Sequence, residues 1–348
     1  MSDGQQFEVL RIEPGDGATA EAVHAVHDAA VHADDPENPP ISARNFTRRL
    51  ALAPPLSYPV EAWYAPDPAG PRAGTAIGWY RMKLPDAENT DRAELEIDVH
   101  PAWRRQGLGR RLLRHATGLA TSRGREFLDF NVAASGPGVA FVQRLGGRLR
   151  LEDARRVLDL DAVPASIIAE SRATAAKAAA GYSLVTWRGP TPAEHRQGVA
   201  EMFTTMNDAP NRPDSEREVW DEQRVIDQLD RRQQAMGGRT YLVAAVSDAT
   251  GAMAALTEVR IDPDVPGWAM QGNTAVGRAH RGHRLGLLVK AAMIEWLAEA
   301  EPRARRYATW NAVVNKHMIA INEALGYAPS GPRYQEGDLR IADIPADF

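Results

Sequence analysis

Two stretches of the chain carry residues whose types and spacing suit chemistry. The first is Arg104-Arg105-Gln106-Gly107-Leu108-Gly109-Arg110. Two glycines in alternate positions lie among arginines, with apolar residues following at Leu112, Leu113, Ala116, Leu119 and Ala120. That spacing predicts a turn opening an amphipathic helix. The first N–H groups of a helix have no partner within it and stand at the positive end of its dipole. Glycine removes the Cβ atoms that would hold an anion away. The stretch therefore predicts a phosphate-sized anion site, with Arg104, Arg105, Arg110 and Arg111 adding positive charge. The second stretch is Ala93-Glu94-Leu95-Glu96-Ile97-Asp98-Val99. Its strict alternation predicts a strand with three carboxylates on one face. Crowded, partly buried carboxylates raise one another's pKa, and a raised carboxylate is a credible general base toward an ammonium. Glu96, central in the strand, is the first candidate and Glu94 the second, with Asp98 on the same face.

Pro101 has no N–H to donate and ends the strand, so the two stretches join as strand, tight turn and helix. Before them, helices are expected over Thr19 to Ala33 and from a Ser42 cap to about Ala51, separated by the loop Asp34-Asp35-Pro36-Glu37-Asn38-Pro39-Pro40. Strands are expected at 7–12, 58–64 and 76–84. After the helix come a strand from Phe127 to Val132, a short helix from Val139 to Leu145 ended by Gly146-Gly147, and strand sequence from Arg148 to Leu160.

The pattern then restarts. Val99 and Val276, Arg104 and Arg281, and Gly109 and Gly286 are each 177 positions apart. Beyond the helix the offset is 180, as between Phe130-Asn131 and Trp310-Asn311. One three-residue insertion accounts for the change. The chain reads as a tandem duplication: a first domain over 1–161, a linker helix over 162–180 and a second domain over 181–348. Both are of the α/β class, a mixed sheet with flanking helices. In the second copy helices are expected over 192–206 and 216–235, and the central strand ends in Gln271-Gly272-Asn273-Thr274-Ala275-Val276, without a carboxylate. Its glycine stretch is Arg281-Gly282-His283-Arg284-Leu285-Gly286, with Arg284 where the first copy has Gly107.

Arg-x-x-Gly-x-Gly, following a strand and opening an amphipathic helix, resembles the acyl-CoA pyrophosphate motif of the GCN5-related N-acetyltransferase (GNAT) family. Taken with the duplication, the chain resembles the tandem GNAT proteins of actinobacteria. The resemblance implies an N-acetyltransferase that uses acetyl-CoA or another acyl-CoA as cosubstrate. It places Arg104 to Arg110 and, in the second copy, Arg281 to Gly286 on the pyrophosphate. It implies two central strands splayed apart around the pantetheine arm, with backbone N–H groups near Val99 and Val276 serving the thioester oxygen. Asn315 falls where the family has a cofactor-binding asparagine. The loops at 34–36 and 206–210 fall beside the acceptor cleft. The tyrosine that protonates the thiolate in many members is replaced by Val142 and Asn322, and the first copy has Ser135 for the asparagine. In the second copy a base would come from elsewhere, such as Glu258. The intact first motif favours the N-terminal half as the working site. The alternatives are a working C-terminal half, or a non-catalytic acyl-CoA sensor.

Composition bounds the rest. The chain has 348 residues, 44% hydrophobic and 25% charged, with a net charge of −5, which fits a soluble globular protein and disfavours a general nucleic-acid binder. It has no cysteine, so disulfides, thiolate nucleophiles and Cys-ligated zinc are excluded. No apolar run approaches membrane length and the first residues lack a signal-peptide core, so a cytoplasmic protein with no membrane partner is expected. His280 and His283 lie close together without a carboxylate beside them, and no metal is expected. The expected partner is a small-molecule amine, and the expected assembly a monomer or homodimer. His24 and His27 read as surface or cleft residues, and Tyr334, after Gly331-Pro332, as a late loop residue near the cleft.

Overall fold

The computed structural model describes residues 7–71, 74–345 and 348. They form two compact units, one from the described residues up to 152 and from 331 on, the other from 153–330.

In the first unit, strands β1 (Leu10–Arg11), β2 (Val60–Ala65), β3 (Gly78–Lys83) and β4 (Arg92–Val99) run antiparallel in order. Helix α3 (Leu108–Ser122) then crosses back to β5 (Phe127–Ala133), which lies parallel to β4. Helices α1 (Gly17–Asp34) and α2 (Ala43–Leu50) precede β2, and α4 (Pro137–Arg144) follows β5. Asp16 caps α1 by accepting the Thr19 N–H, and Ser42 caps α2 by accepting the Asn45 N–H. The period-two pattern sorts each strand's side chains to two faces. Tyr80, Met82 and Leu128 pack with Leu108, Leu112 and Leu113 of α3 on one. Trp79 packs with Val23, Val26 and Phe46 of α1 and α2 on the other.

The last strand of this unit comes from the end of the chain. In β12 (Ala328–Arg340), residues 334–340 pair antiparallel with β5, from Tyr334 opposite Ala133 to Arg340 opposite Phe127. The start of β6 (Arg148–Asp159) lies on its other side. Asp338 fixes the arrangement. Its carboxylate is fully buried, accepts from Arg148 Nε at 2.6 Å and Arg150 Nε at 2.9 Å, and stands 4.0 Å from Arg92 Nη1.

The second unit repeats the plan. Residues 153–159 of β6 pair with β11 (Arg306–Ala312), which runs parallel to β10 (Trp268–Val276). Then follow β9 (Met253–Ile261), β8 (Arg239–Ser247) and β7 (Tyr182–Arg188), all antiparallel. Helix α5 (Ala165–Ala178) packs its buried Ile168 and Ala175 in the same core as α9 (Leu285–Ala300). Helix α6 (Arg196–Thr205) and α10 (Lys316–Ala324) complete the unit, with a broken helix of α7 (Glu222–Arg224), a π-helical segment (Val225–Arg231) and α8 (Arg232–Met236).

The boundaries expected at 161 and 180 are therefore corrected to 152/153 and 330/331. β6 is one long strand serving both units in turn, and the expected linker helix belongs to the second core. The second-copy helix expected from 216 begins at Glu222, because Asn207 holds the preceding segment open: its Oδ1 accepts the Glu218 N–H and its Nδ2 donates to the Glu218 carbonyl. Among the described residues no helix is long and apolar enough to cross a membrane.

Asp338→Ala should destabilise the first unit by about 1–3 kcal/mol, because it removes the buried carboxylate that the partly exposed Arg148 and Arg150 share. Thermal unfolding checks this, and an unchanged first-unit transition would show that the clamp contributes nothing.

Candidate active site

β4 and β5 are paired only from Arg92 opposite Phe127 to Glu94 opposite Asp129. Beyond that they part, leaving a gap between residues 95–99 and 130–133. The His100 N–H donates to the Ile77 carbonyl, so β4 residues of even number face β3 with their backbone groups. Leu95, Ile97 and Val99 therefore turn their N–H groups toward the gap. β10 and β11 part in the same way after Met270, and β10 carries a bulge between Gln271 and Thr274.

The three β4 carboxylates face α1 and α2, and each has a cross-strand donor on β3. Glu94 meets Lys83 Nζ at 2.9 Å at an exposed edge. Glu96 accepts from Arg81 Nε at 3.1 Å and from Arg49 Nη2 of α2 at 2.6 and 2.9 Å. Asp98 accepts from Trp79 Nε1 at 3.0 Å and bonds His27 Nδ1 of α1 at 2.8 Å. The expected rise in the Glu96 pKa does not occur. Burial pushes it up, but Arg49, Arg81 and His27 together outweigh burial and hold it at about 2. Asp98, more buried and without a guanidinium, is raised by desolvation despite its bond to His27. His27 packs against Phe46 and Trp79, with ring centroids at 5.1 and 6.0 Å. Among the described residues its Nε2 has no hydrogen-bond partner. Nδ1 of His27 and oxygens of Glu96 and Asp98 lie within 4.8 Å of one another, a spacing that would admit a cation. The guanidinium groups on Glu96 already supply the positive charge such an ion would bring.

His27 is the residue that sequence reasoning undervalued. The signal was present: it borders the buried Val23, Val26 and Ala30 stripe of α1. Arg81 and Trp79 were legible too, as donors alternating on the strand that pairs with Glu94-x-Glu96-x-Asp98.

The anion loops hold a regularity of their own. In the first unit Arg105 and Gly107 take positive φ, 63° and 88°; in the second Gly282 and Arg284 do, at 91° and 54°. The same turn thus needs two left-handed residues, and the copies exchange which one is glycine. No side chain caps either helix, and the first backbone bonds into them are Arg111 N–H to the Gly107 carbonyl and Leu288 N–H to the Arg284 carbonyl. The preceding N–H groups remain available to an anion. Arg105, Arg110 and Arg284 are exposed, and among the described residues none has a protein partner.

Arg104 and Arg281 do something other than expected. Each donates through Nε to its strand-end carbonyl, Val99 or Val276, at 3.2 and 3.4 Å. Each also pairs with an aspartate at the end of the preceding helical segment: Arg104 with Asp34 at 2.7 Å, Arg281 with Asp208 at 3.0 Å. They latch the loops in place. Gln106 donates to the Ala102 carbonyl at 3.1 Å. Leu108 and Leu285 are core residues. Asn315 caps α10 by accepting the Met318 N–H at 3.2 Å, so its side chain is committed to the fold. His280 bonds Tyr182 at 3.0 Å, and His283 rests against the same ring. Glu258 is fully buried, accepts from Arg260 at 2.5 Å and the Asn273 N–H at 3.3 Å, and its other oxygen has no partner among the described residues. A Cβ at Gly272 would collide with it.

A tandem GNAT protein from the clavulanic acid biosynthesis pathway is 30% identical to this chain, with a TM-score of 0.77 over 97% of this chain and 99% of its own. The chain belongs to the GNAT family. The sequence profile of the acetyltransferase (GNAT) family matches residues 26–146, which include the second half of α1, β4 and the first anion loop of this tandem GNAT protein. A GCN5-related N-acetyltransferase from Sphaerobacter thermophilus shares the fold at 17% identity, TM-score 0.68, covering 99% of this chain and 98% of that one. A glucosamine N-acetyltransferase region of a fungal multi-domain β-N-acetylglucosaminidase shares it at 15% identity and TM-score 0.63, over 97% of this chain and 38% of that one. No curated protein sequence matches. The family's cosubstrate is acetyl-CoA, and this tandem GNAT protein is an acetyltransferase by family.

Because the folded Glu96 titrates below its ordinary value of 4.5, its ion pairs stabilise the unit above pH 4.5. That stabilisation is lost as pH falls toward 2. Glu96→Gln should remove it, making stability at neutral pH lower by roughly 3 kcal/mol and flattening the acid limb of the curve. Chemical denaturation at stepped pH measures both.

Proposed function

We propose that the first unit transfers an acetyl group from acetyl-CoA to a primary amine of a small molecule, with His27 as proton acceptor. The observation that carries this reading is the His27–Asp98 pair beside the gap between β4 and β5. An ionised Asp98 fixes the proton on Nδ1 and leaves the lone pair on Nε2. The loop from Arg105 to Arg110 holds the pyrophosphate with its backbone N–H groups and free guanidinium groups. The pantetheine lies in the gap, and the thioester oxygen meets an inward N–H at Ile97 or Val99. The uncharged amine attacks the carbonyl carbon and a C–N bond forms. His27 Nε2 takes the amine proton, the C–S bond breaks, and the same proton passes to the departing sulfur. The products are amide and CoA thiol. This route needs no tyrosine at position 142. Glu96, the first candidate from sequence, keeps Arg49 and Arg81 in place and has too low a pKa to serve as base at neutral pH. Asp98 orients the base, and Glu94 stays at the edge.

His27→Gln should lower kcat by about 10²–10⁴-fold with little change in acetyl-CoA affinity, the usual worth of a general base. Asp98→Asn should lower it as well, because Nδ1 loses the acceptor that sets its tautomer. Steady-state kinetics on an amine panel reads both, and full activity in His27→Gln would refute the assignment.

Charge reversal tells the two halves apart without adding backbone strain, since Arg105 and Arg284 already occupy left-handed positions. Arg105→Glu should abolish acetyl-CoA binding and turnover in the working unit, while Arg284→Glu leaves turnover intact. Isothermal titration with acetyl-CoA gives the answer, and the opposite result would assign catalysis to the second unit.

A further inference from the structure

The strand that reaches the first unit from the end of the chain brings Tyr334 with it. Tyr334 lies opposite Ala133 on β5. Counting along the parallel strands from Glu94 opposite Asp129, Ala133 is level with Asp98. Face follows from alternation. Leu339 and Leu128, a register pair, lie in the α3-side core, so even-numbered residues of β12 face α1 and α2. Asp98, His27 and Tyr334 thus share one face and one level, with the gap between β4 and β5 separating the first two from the third.

The tyrosine crosses that gap. Its hydroxyl donates to Asp35 Oδ2 at 2.5 Å, and Asp35, 3% exposed, is the residue that caps the end of α1. Next to it, Asp34 holds Arg104 of the anion loop. The Gly331 N–H donates to Glu37 Oε2 at 3.1 Å, a second tie from the same strand to the loop after α1. The anion loop opens α3, on the opposite face of the sheet. On the acetyltransferase reading the acyl donor enters from the α3 face and the amine from the α1 face, which carries the Tyr334–Asp35 bond.

Resting on the acetyltransferase reading above, we infer that Tyr334 is a specificity-determining residue for the amine: its phenol ring, pinned by Asp35, straps the acceptor side of the gap and admits a primary amine on an unbranched carbon in preference to one on a branched carbon. On this inference the ring narrows the acceptor side of the gap on the face that carries His27. The hydroxyl fixes the ring by tying it to a buried carboxylate. Neither group takes or gives a proton in the reaction, so Tyr334 acts by position.

The test compares wild type, Tyr334→Phe, Tyr334→Ala and Asp35→Asn with an unbranched alkylamine and its α-branched isomer. Acetyl-CoA affinity is measured in parallel by titration. In Tyr334→Ala the ratio of kcat/KM for the two amines should fall by on the order of tenfold, the scale at which a pocket wall discriminates small apolar groups, while the acetyl-CoA Kd changes less than about twofold. Tyr334→Phe keeps the ring and should lose less of the preference. An unchanged ratio in Tyr334→Ala, with wild type active, overturns the inference. A wild type that acetylates no amine overturns the acetyltransferase reading instead. The strap then stands or falls on amide hydrogen exchange: Tyr334→Phe and Asp35→Asn should both speed exchange over residues 31–40, and unchanged exchange refutes it. That measurement also serves if Tyr334→Ala fails to fold.

Discussion

The first unit depends on a buried carboxylate that comes from the far end of the sequence. Asp338 is wholly inaccessible to water, yet it gathers Arg148 and Arg150 and lies near Arg92. An ionised group in such a place persists only when it is paired and hydrogen-bonded. The clamp seats β12 against β5, and Arg92 in turn reaches Asp129 of β5 at 3.0 Å. β5 is thereby held on its outer side, which leaves its inner side free to part from β4. The gap that can take a thioester arm is a consequence of that outer fixation together with the short β4–β5 ladder.

On the face above the gap, charge is arranged by strand register. Glu94, Glu96 and Asp98 would repel one another as a bare row. Opposed by Lys83, Arg81 and Trp79, each becomes half of a cross-strand pair. The arrangement separates two carboxylates by environment, one held low by guanidinium groups and one raised by burial next to a histidine. Such a separation is what lets neighbouring acids take different roles. Here Glu96 binds Arg49 and Arg81, and Asp98 binds Trp79 and His27.

The duplication has drifted within a common frame. Both loops keep the latch arginine, the strand-end carbonyl it bonds and the aspartate it pairs with. Both need two left-handed residues, met by Arg105 and Gly107 in one copy and Gly282 and Arg284 in the other. The charged residues on the central strands differ between the copies. The Arg81–Glu96 pair of the first copy corresponds to Glu258 and Asn273 in the second, with the carboxylate moved to the neighbouring strand and buried. The second copy keeps the splayed strands and the anion loop, while nothing in it matches the His27–Asp98 pair.

Local pattern in the sequence determined a good deal. Alternation placed β4 and its three carboxylates on one face, helical spacing placed α3, and the glycines placed the anion loop, because each depends only on near neighbours and on backbone geometry. The repeat offset determined the duplication. What the tertiary structure decided were partners across long separations. Arg49 and Arg81 reverse the expected pKa of Glu96. Asp98 bonds Nδ1 of His27 and fixes the ring beside the gap. Asp34 and Asp208 pair with Arg104 and Arg281 of the anion loops. β12 joins the first unit and carries Tyr334 to Asp35, nearly three hundred residues away in sequence. Composition and period report what a segment buries and which face it shows. They carry no information on which distant charge will lie against that face, and in this protein those distant charges set the chemistry.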